Sequence, residues 1–138
     1  MKISLRQIKA RLTKSEDDSG CCCRFYKCGR YGLKVYWTKS ERDYACKMQK
    51  LAAEHKLGPK VGRKFEVWED DYEPIYGYVT QRASPIDQLS DSKENKIRNE
   101  LLSIGIDSTD LCAHNCGKIN GKIVCVDFDN GSCAKRIK

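Results

Sequence analysis

Asp110-Leu-Cys-Ala-His-Asn115-Cys-Gly-Lys-Ile-Asn120-Gly-Lys-Ile-Val-Cys-Val-Asp127-Phe128 is the stretch on which the reading of the whole chain turns. An acidic residue opens it and an amide side chain follows at Asn115. Asn120-Gly121 then sits between two β-prone runs, which is a strong hairpin signal. The second run, Ile123 to Val126, ends on Asp127, so the hairpin is predicted to return Asp127 to the loop that carries Asn115. A carboxylate, an amide and a second carboxylate are what phosphoryl transfer asks for. One carboxylate takes the proton of the attacking hydroxyl, and the other two groups hold magnesium against the phosphates.

The order Asp110-Leu-x-x-x-Asn115, then a strand, then Asp127-Phe128, resembles the catalytic and metal-binding loops of the protein-kinase-like superfamily. The resemblance implies that Asp110 is the base, that Asn115 and Asp127 are magnesium ligands, and that ATP is the phosphoryl donor. Ser108-Thr109 stands where protein kinases carry His-Arg, and Asp129 follows Asp127-Phe128 where they carry glycine. Small-molecule kinases of the aminoglycoside and choline type share a related arrangement, so the loop leaves the substrate class open.

Upstream, residues 2–12 place Leu5, Ile8 and Leu12 on one stripe, with Lys2, Arg6, Lys9 and Arg11 mostly off it, which predicts a short amphipathic helix. Thr13 to Gly20 is polar and acidic and reads as a linker. Phe25–Cys28 and Leu33–Trp37 read as strands joined through Gly29-Arg-Tyr-Gly32. Placed before a strand bearing Lys34, this turn resembles a shortened kinase glycine-rich hairpin, although the full Gly-x-Gly-x-x-Gly is absent. By that resemblance Gly29 and Gly32 approach the nucleotide and Lys34 pairs with its α- and β-phosphates. From the residues alone, a solvated strand lysine is an equal reading of Lys34.

Ser40 is a good N-cap for a helix running to Lys56, with Tyr44, Met48, Leu51, Ala52 and His55 at helical spacing and Gly58-Pro59 as its stop. The resemblance makes Glu41 the helix carboxylate that orients Lys34, with Glu54 as a second candidate. Glu41 also has a dipole reason to stand at a helix start. Lys64–Trp68 and Ile75–Gln81 read as further strands around the acidic Glu69-Asp-Asp71 turn. Four antiparallel strands and one helix resemble a kinase N-lobe, in which 81–85 is the hinge and Gln81 a nucleotide contact. Ser92 to Ile104 places Ile97, Leu101, Leu102 and Ile104 on a helical face and stops at Gly105.

At 138 residues the chain is expected to form one domain with a sizeable core. Its parts read as an N-terminal basic helix and linker (1–20), an N-lobe-like sheet with its helix (21–82) and a reduced C-lobe (83–138). Nine cysteines, three of them adjacent at 21–23, with no secretory signal, favour reduced thiols in a cytosol over a disulfide framework. Cys112-x-His114-x-Cys116 is tighter than structural zinc sites and lacks a second cysteine pair, which argues against zinc. The net charge of +7 suits ATP or another acidic partner. Its basic residues are dispersed except at Lys135-Arg136-Ile137-Lys138, and no RNA-recognition or zinc-finger signature accompanies them, which disfavours nucleic acid. No apolar run approaches the length of a membrane span.

The fold class expected is therefore α+β and protein-kinase-like. Residues 132–138 are too few for an activation segment and peptide platform, so a domain cut to its ATP-handling half is expected, of a size suited to a phage or virus. The function expected is a minimal magnesium- and ATP-dependent kinase acting on Ser or Thr of a protein. The alternative is an inactive kinase-like module that inhibits or regulates a partner protein, and the third is a small-molecule phosphotransferase.

Overall fold

Ser4 opens the first helix, α1 (Leu5–Leu12), with a capping box: its hydroxyl accepts from Gln7 N, and the Gln7 side chain accepts from Ser4 N. The computed structural model describes residues 1–19, 23–68, 74–108, 111–128 and 134–136. After α1 come the strands β1 (Asp18–Ser19), β2 (Cys23–Cys28) and β3 (Tyr31–Tyr36), then α2 (Lys39–Glu54), β4 (Val61–Val67) and β5 (Ile75–Gln81). The second half holds β6 (Ser84–Pro85), α3 (Asp91–Ser103), β7 (Ile106–Ser108), a single 3-10 turn (Ala113–Asn115), β8 (Cys116–Ile119), β9 (Lys122–Cys125) and β10 (Ala134–Arg136). The chain is α+β, with three helices and antiparallel sheets among the described residues.

Among the described residues the main sheet has five strands in the order β1-β2-β3-β5-β4, one more than the four expected. The addition is β1: Asp18 pairs with Phe25 and Ser19 with Arg24, within the segment read as a linker. Both faces of the sheet are covered, which explains why β3 does not alternate and buries Leu33, Lys34, Val35 and Tyr36 in succession. On one face Ile3, Ile8 and Leu12 pack against Tyr26, Leu33, Val35, Phe65, Val67 and Val79. On the other, Ala45 and Cys46 of α2 pack against Tyr36 and Tyr78.

Thr38, not Ser40, caps α2, and the helix ends at Glu54 with an exposed His55 as C-cap rather than a helix residue beside the core. Its buried stripe is Arg42, Ala45, Cys46, Met48, Gln49 and Ala52, which shares only Met48 and Ala52 with the stripe expected and adds two long polar residues. Strand β4 begins earlier than predicted, with a register irregularity between Val61 and Lys64, whereas β5 matches its expected range. The helix α3 starts on Ser90 as N-cap and buries Ile97 and Leu101, while Leu102 is exposed.

Beneath the main sheet, β6, β8 and β9 form a three-stranded sheet, and β7 pairs with β10. The β8–β9 turn has positive φ at both Asn120 (49°) and Gly121 (81°), the geometry that an Asn-Gly hairpin is selected for. The second core joins Met48, Ala52 and Leu57 to Ile97, Leu101, Ile106, Leu111, Cys125 and Phe128. Phe128 is fully buried there, against the chain just after α2: a Cβ on Gly58 would come within 3.0 Å of its ring. The residue after Asp127 thus anchors the end of β9 beneath α2.

Candidate functional site

Between the main sheet and the β6-β8-β9 sheet lies a cavity of about 490 Å³, within the range of small-molecule sites. Its walls include Phe25 and Lys34 from the main sheet, Gln81 and Ala83 from the connection to β6, and Asn115 and Asp127 from below. Lys34, Gln81, Asn115 and Asp127, named from the sequence as phosphate, nucleotide and metal residues, therefore share one cavity.

Val126 is where these residues are tied together. Its N–H donates to Asn115 O (2.9 Å), which joins the 3-10 turn to the end of β9. Its carbonyl accepts from Lys34 Nζ (2.5 Å) across 92 residues of sequence. Asp127 follows directly, so a lysine, an amide and a carboxylate from three segments face one space.

Lys34 is 8 % exposed, which rules out the solvated-lysine reading. Its ammonium also donates to Gln49 Oε1 (3.0 Å). That acceptor takes a second bond from Tyr78 Oη (2.8 Å), while Gln49 Nε2 donates to Pro59 O (3.0 Å) and Thr80 Oγ1 (2.7 Å). Each end of the buried amide thus has two partners of the right kind, a complete use of a group that both donates and accepts.

The residue of α2 that meets Lys34 is therefore Gln49, not Glu41. Glu41 lies in the first turn of the helix, where its carboxylate accepts from Thr38 Oγ1 (2.9 Å) and its N–H donates back to that hydroxyl (3.2 Å). The helix-start reason is the one the geometry bears out. Glu54 is exposed at the other end. Gln49 lies outside the stripe read from the sequence (Tyr44, Met48, Leu51, Ala52 and His55), and its partners in β3, in β5 and before β4 are distant in the chain.

Gly29 and Gly32 do not line the cavity. Gly29 has φ +60° at the first central position of the two-residue β2–β3 turn, and its carbonyl accepts from Arg82 Nη1 (2.7 Å). Gly32 leaves room for the Phe25 ring, whose Cε2 would stand 2.4 Å from a Cβ there. The hairpin that forms the cavity wall is β1–β2, with Asp17, Asp18, Cys23, Phe25 and Lys27 on it. Gln81 lines the cavity, but its Oε1 accepts from Lys60 N (3.0 Å), so its side chain ties the residue just before β4 to the end of β5. Asp110 lies outside the described residues, as do Cys21 and Cys22.

Asp17 has its carboxyl held below the ordinary value of 3.8, first by the Lys27 backbone N–H and then by Arg11. Burial pushes the Cys28 and Cys46 thiols up, so both stay protonated at neutral pH. Among the described residues Cys28, Cys46 and Cys112 are free thiols, and no group of three His, Cys, Asp or Glu side chains gathers to hold a metal. Cys112 instead accepts from Asn115 Nδ2 (3.4 Å). Among the same residues no helix is long and apolar enough to cross a membrane.

No family model, curated protein or solved structure matches this chain.

Proposed function

We propose that the cavity binds a magnesium nucleotide, and that the chain is an ATP-dependent phosphotransferase with a protein-kinase-like plan, acting on Ser or Thr of a protein. The observation that carries this is the junction at Val126, which brings Lys34, Asn115 and Asp127 to one cavity. Those are the residue types, in the chain order, that phosphoryl transfer uses. The element order supports the same reading: a strand bearing the lysine, a helix that meets it, two more strands, a connecting segment, and a loop and hairpin ending on Asp127-Phe128.

The donor set suits magnesium. Asn115 and Asp127 offer an amide and a carboxylate oxygen, and Mg²⁺ is commonly held by one or two carboxylates plus substrate phosphates. The metal would neutralise charge on the phosphates when bound. Lys34, fixed by Gln49 and Val126, would hold phosphate oxygens by its charge and N–H donors. Asp110 would accept the proton of the attacking hydroxyl.

A second reading has its own observation. Protein kinases pair this lysine with a glutamate, and Lys34 meets the amide of Gln49. That favours a nucleotide-binding or regulatory module over a full enzyme. Phosphoryl transfer from ATP to a mixture of Ser- and Thr-containing peptides, compared between the native chain and Asp110→Ala, separates the two. An enzyme loses about 10²-fold or more of its rate in the variant. A module has no transfer to lose and keeps its affinity for nucleotide.

A further inference from the structure

If the cavity takes polyphosphate, two carboxylates stand in an awkward place: Asp17 and Asp18 both line it, on the β1 side. Arg11, at the end of α1, answers one of them. Its Nη2 donates to Asp17 Oδ2 (2.7 Å), its Nε to Lys27 O (2.7 Å) and its Nη1 to Ser15 O (3.0 Å). The guanidinium also lies 5.1 Å from the centroid of the Tyr26 ring. The same Asp17 oxygen accepts from Lys27 N (2.6 Å), and Asp17 N donates to Phe25 O (2.9 Å). One planar five-donor group thus spans α1, the turn after it and the cavity wall, a geometry that lysine cannot reproduce.

We propose that Arg11 is a positioning residue for the cavity: it neutralises the Asp17 carboxylate and fixes β1 as the wall of an anion-accepting site. The proposal rests on the nucleotide reading above and extends the site to the N-terminal helix. The ligand class it selects is the multiply charged anion, a nucleoside triphosphate or inorganic tripolyphosphate. Without Arg11, a uncompensated unit charge faces that ligand across a solvated cavity, and affinity should fall roughly tenfold at low salt.

The test is calorimetric titration of the full chain with magnesium ATP and with magnesium tripolyphosphate. Native protein, Arg11→Ala, Arg11→Ala with Asp17→Asn, and Asp17→Asn alone are compared at two salt concentrations. The proposal expects Arg11→Ala to weaken both ligands roughly tenfold, less at high salt, and the double variant to return within about threefold of native. Asp17→Asn alone is expected to bind as tightly as native or tighter, a readout that stands even if Arg11→Ala folds poorly. Native affinity in Arg11→Ala, a double variant as weak as the single, or a tenfold loss in Asp17→Asn overturns the proposal. Native protein that binds neither ligand overturns the nucleotide reading itself, and is thereby distinguished from failure of Arg11 alone.

Discussion

Replacing Gln49 by Leu removes the side chain that ties α2 to β3, to β5 and to the loop before β4. Gln49 is fully buried and makes four hydrogen bonds, one of them from the Lys34 ammonium. At about 0.5–1.5 kcal/mol for each neutral bond and 1.5–3 for the charged one, the gross loss is about 3–7 kcal/mol. Leucine is nearly the same length and recovers about 1–2 kcal/mol by burying apolar surface. The net cost is then about 1–6 kcal/mol, against a total stability of roughly 7–20 kcal/mol for a chain of this length. At about 4 °C per kcal/mol, the melting midpoint should fall by about 4–24 °C. Thermal and urea unfolding followed by circular dichroism measure it. Nucleotide affinity of the folded variant should fall as well, because Lys34 loses a fixed partner. A midpoint shift below about 3 °C with unchanged affinity would refute the account of Gln49 as the link between core and site.

Three further outcomes follow from other parts of the fold. A Cβ on Gly77 would lie 2.4 Å from the Phe65 ring and 2.5 Å from the Lys34 carbonyl, so Gly77→Ala should cost about 2–3 kcal/mol by urea unfolding. Asp17 is held low by Lys27 N–H and Arg11; Asp43 is pushed up by desolvation but brought net below 3.8 by Lys64 and Arg42. Their depressed folded values stabilise the native state above the ordinary carboxylate range, and that contribution is lost as pH falls below 3.8 through the folded values. Urea midpoints measured downward from pH 6 should therefore drop most steeply there, and less steeply in Asp17→Asn. Cys23 and Cys116 line the cavity while Cys112 is exposed, so mass-spectrometric alkylation should find magnesium ATP slowing the labelling of Cys23 with little effect on Cys112.

Much of the architecture was legible in the sequence because short-range chemistry dictates it. Asn120-Gly121 specifies its hairpin through positive φ, the spacing of Leu5, Ile8 and Leu12 specifies α1, and the β-prone run from Ile75 to Gln81 became β5. What stayed hidden depends on partners far away in the chain. Asp18–Ser19 has no apolar pattern and becomes a strand because β2 offers it an edge, with Asp17 anchored by Arg11 from another element. Arg42 and Gln49 look like surface residues in a helix of mixed polarity. They are buried because Phe65 and Gly77 carbonyls wait for Arg42, and Lys34, Tyr78, Thr80 and Pro59 wait for Gln49. The same limit explains the site. Residue type and order pointed to Lys34, Asn115 and Asp127, whereas the choice of Gln49 over Glu41 and of the β1–β2 hairpin over Gly29–Gly32 required three-dimensional register.

The measurement that tests the central claim most directly is calorimetric titration of the folded native chain with ATP, with and without magnesium, beside Asp127→Asn. The account predicts saturable binding to the native chain that strengthens with magnesium and loses that magnesium dependence in the variant. Folded native protein that binds no ATP, or binds it equally well without magnesium and with Asn at position 127, would contradict it.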